Sequence, residues 1–252
     1  MILVKKANNP LVAIEFLGKG LKLLFNPKLR NLVIIPILIN VVLYSIALWL
    51  GYHYVDQLIT QSIPSWLHWL NWILYPLFFI IFFIVSFFSF TVLANLIAAP
   101  FYGILAARTQ AILSNEVQIV EQPLTKVMAG ELKRVFYIVT RILPLLILFM
   151  IPVVNLVAPI IFALFSACCL AMEFMAYPLE NEGLLFTEQK ALLKTARFGM
   201  LSFGGLTMLG LTLPVLNIIV GPAAVIGATI YLYELREKPV EESNTASEVV
   251  QA

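Results

Sequence analysis

Long apolar runs separated by short polar segments organise the chain. Four runs contain no Asp, Glu, Lys or Arg: residues 31–55, 57–107, 142–172 and 198–233. A helix needs about 20 apolar residues to cross the hydrocarbon core of a bilayer, and each run is at least that long. Within the first two runs, residues 32–52 and 73–95 are predicted to form two long transmembrane helices.

The last two apolar runs share a motif that breaks helices. Pro152-Val153-Val154-Asn155 in one run matches Pro214-Val215-Leu216-Asn217 in the other. Proline lacks a backbone donor and clashes with the preceding turn, so each run is expected to divide there. The first arm of the third run then reaches only ~15 Å, which is too short for a hydrocarbon core of ~30 Å. We therefore predict that residues 142–173 and 198–234 form two helical hairpins that penetrate the bilayer only partly.

Amphipathic segments connect these elements. Residues 11–24 carry apolar side chains at helical spacing and include two lysines. This pattern is typical of a helix that lies on the membrane surface. Residues 125–139 and 187–196 have a similar pattern, although each is equally compatible with a cytosolic connection packed on its own membrane helices.

The end of the chain differs in composition from the rest. Residues 237–252 are acidic and polar, with few residues able to form a core, and are predicted to be a disordered tail. The sequence before the tail, residues 1–236, is predicted to be a single membrane domain. The expected fold class is therefore an all-α integral membrane protein with amphipathic surface helices.

The composition fits a lipid environment. Of the 252 residues, 61% are hydrophobic and 12% are charged, and the mean hydropathy is +0.95. Soluble domains are about 45–50% apolar and about 25% charged, so a soluble enzyme, a disordered protein and a nucleic-acid-binding protein are excluded. The sequence shows no catalytic or metal-ligand spacing and no phosphate-binding loop, so we expect no enzymatic activity, cofactor or metal.

The distribution of positive charge predicts an orientation. All 16 Lys and Arg residues lie in residues 1–30, 108–141, 174–197 and the C-terminal segment from residue 236. The segment between the two predicted transmembrane helices has none. Because Lys and Arg are concentrated on the cytoplasmic side of membrane proteins, both termini are predicted to be cytoplasmic.

The start of the first transmembrane helix is a candidate anion site. Lys28 and Arg30 flank Leu29 where the helix begins, and Asn31 follows. A helix N-terminus has free backbone N–H groups and a partial positive charge, which suit an oxyanion. The simpler interpretation is that the two cations only anchor the orientation of the helix.

Polar residues near helix breaks are candidates to line a pore. Asn40, Asn95, Asn155 and Asn217 each lie within five residues of a proline. Transporters use broken helices to hold ions, but an asparagine also caps a turn inside a packed bundle, and the sequence favours neither interpretation. Glu173 and Glu234 lie near the ends of the two predicted hairpins. They are either pore-lining carboxylates or helix ends that meet water.

These residues resemble those of a known family, the CysZ-type bacterial sulfate permeases. The resemblance covers residues 14–235. Its motifs are Asn26-Pro27, Leu29-Arg30, Ile35-Pro36-Ile37-Leu38-Ile39-Asn40, Ala94-Asn95-Leu96-Ile97-Ala98-Ala99-Pro100-Phe101, Tyr177-Pro178 and the two Pro-Val-x-Asn corners. The string from Asn95 to Phe101, in order with the others, is specific to the family.

The resemblance implies a sulfate permease of the bacterial inner membrane that supplies cysteine synthesis. It also implies two long transmembrane helices with two partly penetrating hairpins. Sulfate binding at a Gly-Leu-Arg-like motif corresponds to Lys28, Leu29, Arg30 and Asn31. This chain departs from that motif, because Lys28 replaces the family glycine and Asn31 replaces a frequent second arginine.

Two further expectations follow. The resemblance implies a homo-oligomer of antiparallel dimers, in which subunits have opposite orientations, and this conflicts with the one-sided distribution of Lys and Arg. A dimer or larger assembly is expected in either case. A different function remains open: the chain could be a non-transporting scaffold whose wedge-like hairpins shape the bilayer, although a scaffold gives no reason for Lys28 and Arg30.

Overall fold

The structure is a computed structural model that describes residues 3–62, 71–114, 120 and 123–236, except for some side chains within the helices. The predicted tail, residues 237–252, lies outside the described residues. Eight α-helices follow in chain order: α1 (Pro10–Leu24), α2 (Pro27–Ser62), α3 (Asn71–Ser114), α4 (Leu124–Leu148), α5 (Ala158–Asn181), α6 (Phe186–Leu193), α7 (Arg197–Leu211) and α8 (Pro214–Glu234). Short 3-10 turns occur at Lys5–Asn8, Val154–Leu156 and Lys194–Ala196.

The described residues contain no strand longer than one isolated bridge between Leu3 and Arg236. Three of the described helices contain a segment that is long and apolar enough to cross a membrane: Pro27–Ala47, Ala158–Asn181 and Leu216–Glu234. The prediction of an all-α membrane protein is confirmed.

The long helices α2 and α3 extend beyond the predicted membrane spans. Residues 32–52 lie inside α2 and residues 73–95 inside α3, which have 36 and 44 residues. At 1.5 Å per residue α2 is ~54 Å long, and the hydrocarbon core is ~30 Å thick. The apolar pattern defines the part of a helix that suits lipid, whereas the helix itself ends only where the backbone is capped or broken.

The chain divides into two compact units. One contains Pro27–Ile104 and the other contains Met1–Asn26 with Leu105–Ala252. We call the second the bundle unit. In it, α5, α7 and α8 pack against one another, and α1 packs along α7 and α8. Almost every residue of α8 from Val220 to Leu232 is buried, as expected for a helix that is apolar on all sides.

Small residues allow the helices of the bundle unit to approach closely. Gly204 of α7 lies directly against Ala167 and Ala171 of α5. Gly20 of α1 lies against Ala223 and Gly227 of α8. A Cβ atom at either Gly20 or Gly204 would overlap a backbone carbonyl oxygen of the neighbouring helix. This is the small-residue packing that membrane helices use where apolar side chains gain nothing by leaving lipid.

Helix α1 packs against the bundle unit with one face and leaves most of the predicted apolar face (Leu11, Ile14, Leu17, Leu21 and Leu24) outward. Its buried residues are Val12, Ala13, Phe16, Gly20 and Leu24. Three residues of the predicted apolar face, Leu11, Ile14 and Leu21, are instead exposed. The contact with α8 requires a small residue at the crossing point, so Gly20 decides which face turns inward. The leucines form an outward apolar face, and the location of α1 on a membrane surface stays a prediction.

The two hairpin corners are not equivalent. In the first, α4 ends at Leu148 and α5 begins at Ala158, so Pro152 and Asn155 lie in the connection. In the second, α8 begins at Pro214, and Asn217 is within its first turn. Proline is favoured at the first position of a helix because its missing N–H has no intrahelical partner there. The same four-residue pattern therefore forms a loop once and starts a helix once.

The first arm of the first hairpin is longer than the sequence predicts. Helix α4 joins the predicted surface helix, residues 125–139, to the arm beginning at residue 142 in one helix of 25 residues. Pro144 lies inside this helix and does not end it. At 1.5 Å per residue α4 is ~37 Å long. The apolar part of α4 after Arg141 is still short, and partial penetration stays a prediction.

Candidate functional site

The start of α2 has the local structure of an anion-binding helix terminus. Helix α1 ends at Leu24, and the backbone N–H of Asn26 closes a tight turn by donating to the carbonyl of Leu23 at 3.0 Å. Pro27 then begins α2. Its fixed φ suits the first helical position, and the following residues have N–H groups with no intrahelical acceptor. The sequence thus places a helix N-terminus directly at Lys28.

The four predicted site residues occupy this first turn. Leu29 is completely buried, whereas Lys28, Arg30 and Asn31 are exposed. The buried leucine holds the turn, and the polar side chains around it reach solvent. Among the described residues, no carboxylate pairs with Arg30. The planar fork of donors on its guanidinium suits an oxyanion.

The four asparagines fall into two groups. Asn155 lies in the corner between α4 and α5, and Asn217 lies at the start of α8; both side chains are exposed. Their backbone N–H groups donate to the carbonyls of Ile151 at 3.0 Å and Leu213 at 2.8 Å. Asn40 lies in α2 and Asn95 in α3, and their side chains are outside the described part of the structure.

The two candidate carboxylates have different surroundings. Glu173 is exposed on α5, two turns before the helix ends at Asn181. Glu234 is the last residue of α8 and accepts a hydrogen bond from Lys19 of α1 at 2.8 Å. Lys19 also pairs with Glu15 at 3.1 Å. The bond from Glu234, aided by Glu15, raises the pKa of Lys19 above its ordinary value despite some burial. Glu234 thus fastens α1 to α8.

A polar network that the sequence analysis missed joins several helices of the bundle unit. Arg134 of α4 donates to Glu180 of α5 at 2.7 Å and to Gln189 of α6 at 2.8 Å, and it pairs with Glu131 at 2.9 Å. Burial raises the pKa of Glu131, while the charge of Arg134 acts in the opposite direction. We call these four residues the Arg134 network.

A second set of polar contacts lies close to the first in sequence. Gln110 of α3 donates to Glu182 at 2.9 Å and to the carbonyl of Pro178 at 3.1 Å. Arg236, just after α8, pairs with the same Glu182. The contacts bring together residues from polar segments that the charge distribution places on one side of the membrane. The partners in this second set are 54 to 72 residues apart, so no local pattern reveals them.

A cavity of about 120 Å³ lies beside the Arg134 network. It is lined by the polar Glu131, Glu180 and Gln189 and by the apolar Val127, Leu185 and Phe186, among others. Two carboxylates at the wall make it a poor site for a dianion, because like charges at short range repel strongly in a partly buried setting. The start of α2 is the better candidate for binding an oxyanion.

Comparison with known proteins identifies the family. The model of the family described as sulfate transporter CysZ/etoposide-induced protein 2.4 matches residues 16–222. The chain belongs to this family. A sulfate transporter CysZ of Pseudomonas fluorescens is 41% identical over 90% of this chain and 94% of its own length. The proteins of the same name from Pseudomonas paraeruginosa and Salmonella typhimurium are 36% and 34% identical over 86% and 87% of this chain, and over 92% and 91% of their own lengths.

Membership in the CysZ family confirms the resemblance that the sequence motifs indicated. The matched region includes the start of α2, both hairpin corners and the Arg134 network. It excludes Lys5–Asn8, the first residues of α1 and the part of α8 that follows Pro222. The similarity covers nearly the full length of the relatives, so it applies to the whole membrane domain rather than to one helix or one motif.

Proposed function

We propose that this protein is a sulfate permease of the bacterial inner membrane that supplies sulfate for cysteine synthesis. The observation that carries the proposal is its identity of 34–41% with proteins named sulfate transporter CysZ over most of both chains. The apolar helices and the family support a multi-pass membrane protein. The proposal is transport rather than catalysis, since the relatives are named as transporters.

We propose that sulfate first binds at the start of α2. The dianion would accept hydrogen bonds from the backbone N–H groups of the first turn and from Arg30, with Lys28 and Asn31 beside it. The partial positive charge of the helix N-terminus favours an anion, and a hydrogen bond to a charged group is worth about 1.5–3 kcal/mol. Leu29 contributes by anchoring the turn. After the costs of ordering, these contacts correspond to micromolar to millimolar affinity.

Passage through the membrane requires weaker contacts than the first site. A dianion held too tightly would not leave, so conduction needs several moderate sites. We propose that Asn40, Asn95, Asn155 and Asn217 provide neutral hydrogen-bonding groups along the path, with Glu173 as a further pore candidate. Glu234 is the weakest of the pore candidates because Lys19 already binds its carboxylate. The chain has no nucleotide-binding motif, and we propose that flux is passive or ion-coupled. We also propose that the protein is a homo-oligomer, a dimer or larger.

The test is sulfate flux in a system that contains no other protein. Purified protein is reconstituted into liposomes and the uptake of radiolabelled sulfate is followed, with protein-free liposomes as the control. We expect saturable uptake that unlabelled sulfate inhibits and chloride does not. Uptake equal to that of protein-free liposomes, with the protein shown to be folded and inserted, would refute the permease and leave the scaffold function.

A further inference from the structure

Two cations of the bundle unit lie on one aromatic ring. The guanidinium carbon of Arg141 is 3.7 Å from the centre of the Tyr137 ring, and Nζ of Lys190 is 4.0 Å from it. Lys194 follows Lys190 by one helical turn, between α6 and α7. We call Arg141, Lys190 and Lys194 the cation cluster. An aromatic ring attracts a cation to its face, so Tyr137 holds two of the three side chains in place.

The cation cluster is not neutralised within the described residues. No carboxylate there forms an ion pair with any of its three members. Burial, and then the charges of Arg141 and Lys194, lower the pKa of Lys190. Arg134 lies two turns earlier on the same helix and has two carboxylate partners. Helix α4 thus carries one arginine that is paired within the fold and one that forms no ion pair among the described residues.

On the side of α4 away from Arg141, and beyond it toward the end of the helix, the surface is apolar. Phe136, Val139 and Leu143 of α4 are all exposed, with 69%, 44% and 54% of their surface accessible. The exposed apolar face continues through Ile147 to Met150, and the next charged residue after Arg141 is Glu173. The cations therefore lie where α4 passes from polar to apolar sequence, which is the position of the headgroup region for a helix that enters a bilayer.

We propose that the cation cluster binds the phosphate group of an anionic phospholipid, whose acyl chains lie along the apolar part of α4 beyond Arg141. The two non-bridging oxygens of a phosphodiester accept hydrogen bonds from guanidinium and ammonium groups. Basic residues near a membrane surface each contribute about 1 kcal/mol toward anionic lipid. The position of Arg141 as the last charged residue before the apolar run 142–172 favours a lipid over a free oxyanion, because it places the cluster at the level of the headgroups.

Lipid retention by the full-length protein tests this site. The detergent-purified protein is titrated with phosphatidylglycerol or phosphatidylcholine, and bound lipid is counted by native mass spectrometry. The variant Arg141→Gln with Lys190→Gln removes two charges, and Lys126→Gln on the same helix is the matched control, since Lys126 is exposed and lies three helical turns before Tyr137. We expect the double variant to lose affinity for phosphatidylglycerol by about tenfold or more and the control to bind like the parent.

Two further measurements define the ligand. Tyr137→Leu removes the ring that orders the cations and should weaken phosphatidylglycerol binding, while Tyr137→Phe keeps the ring and should not. Glycerophosphate and inorganic sulfate, which have no acyl chains, should fail to displace the lipid at millimolar concentration. Equal binding of phosphatidylglycerol to parent and double variant would overturn the site. Displacement by the soluble anions would overturn the lipid assignment and indicate a free oxyanion site. Gel filtration verifies that each variant is folded.

Discussion

Arg134 and Arg30 are the same residue type near the polar ends of membrane helices, yet their surroundings differ. Arg134 has a side chain that is 16% exposed and contacts Glu131, Glu180 and Gln189. Arg30 is exposed in the first turn of α2 and pairs with no carboxylate among the described residues. A buried and paired cation is committed to the fold, because removing it leaves carboxylates without a counter-charge. An exposed and unpaired cation at a helix N-terminus is available to a ligand.

The largest effect is expected from removing Arg134, the paired arginine. Arg134→Ala leaves Glu131 and Glu180 close together without their shared partner. We expect it to lower the free energy of unfolding by about 2–4 kcal/mol, somewhat less than for a fully buried pair because the carboxylates are partly exposed. Thermal unfolding in detergent measures the change. Lys133→Ala, an exposed neighbour, should be within about 0.5 kcal/mol of the parent. Equal unfolding of both variants would mean that the Arg134 network adds nothing to the fold.

The second prediction tests the helix packing on which the paired region depends. Gly204→Ala adds a methyl group that overlaps the carbonyl of Ala167, and we expect a loss of about 1–3 kcal/mol in stability. Gly205→Ala is the matched control, because a Cβ there meets only the Cβ of Ala167 at 4.0 Å. The control should be neutral or slightly stabilising, since alanine favours a helix over glycine. If Gly204→Ala were as stable as Gly205→Ala, the result would contradict the close contact between α5 and α7.

The third prediction concerns the unpaired side. Arg30→Ala removes the guanidinium but no ion pair, so we expect sulfate affinity to fall about tenfold or more with unchanged thermal unfolding. Lys28→Ala should act more weakly, since a flexible ammonium is less well positioned than a guanidinium. Calorimetric titration with sulfate measures both, and higher ionic strength should weaken binding to the parent. Unchanged affinity in folded Arg30→Ala would reduce Lys28 and Arg30 to anchors of membrane orientation.

The smallest effect is expected for Lys19, whose ion pairs should make the stability of the protein depend on pH. The pKa of Lys19 is raised by Glu234 and Glu15, so the contribution of this pair to stability is complete below the ordinary lysine pKa of 10.5 and is lost as the pH rises beyond it. The pair is partly exposed, which limits its contribution to about 1 kcal/mol. Lys19→Gln should flatten this alkaline loss in pH-dependent unfolding, and the exposed Lys22→Gln should leave it as in the parent. Parallel alkaline curves for parent and Lys19→Gln would show that the contact with Glu234 is not stabilising.

The sequence predicted the features that depend on local chemistry. The apolar runs identified a membrane protein, and the structure and the family confirm it. The expected break near Pro152 coincides with the connection between α4 and α5, and the second break falls just before Pro214. A proline affects the backbone next to it, and a run of apolar residues defines a segment that suits lipid. Both effects can therefore be predicted from the sequence alone.

The packing of α1 shows what the leucine spacing does not reveal. The leucine spacing identifies the hydrophobic face of α1. Gly20 adds no side chain to this pattern, so the pattern does not show that Gly20 lies at a helix contact. In the bundle unit, close fit between the helices decides which face of α1 packs against α8. Helix α8 is apolar on all sides, so it has no polar face that would favour one orientation of α1. The small residues Gly20 and Gly227 let the two backbones approach, and the leucines turn outward.

By itself, the sequence determined that this chain is an all-α membrane protein of the CysZ family, that a helix begins with cations at Lys28, and where the hairpins turn. Only the tertiary structure decided which charges are paired. Lys19 and Glu234 are 215 residues apart, and Arg134 and Glu180 are 46 apart. Burial preferences and backbone constraints act locally, so residue type and spacing are enough to predict them. Ion pairs between helices depend on where those helices cross, and the crossings are set by the fit of small residues across the whole bundle.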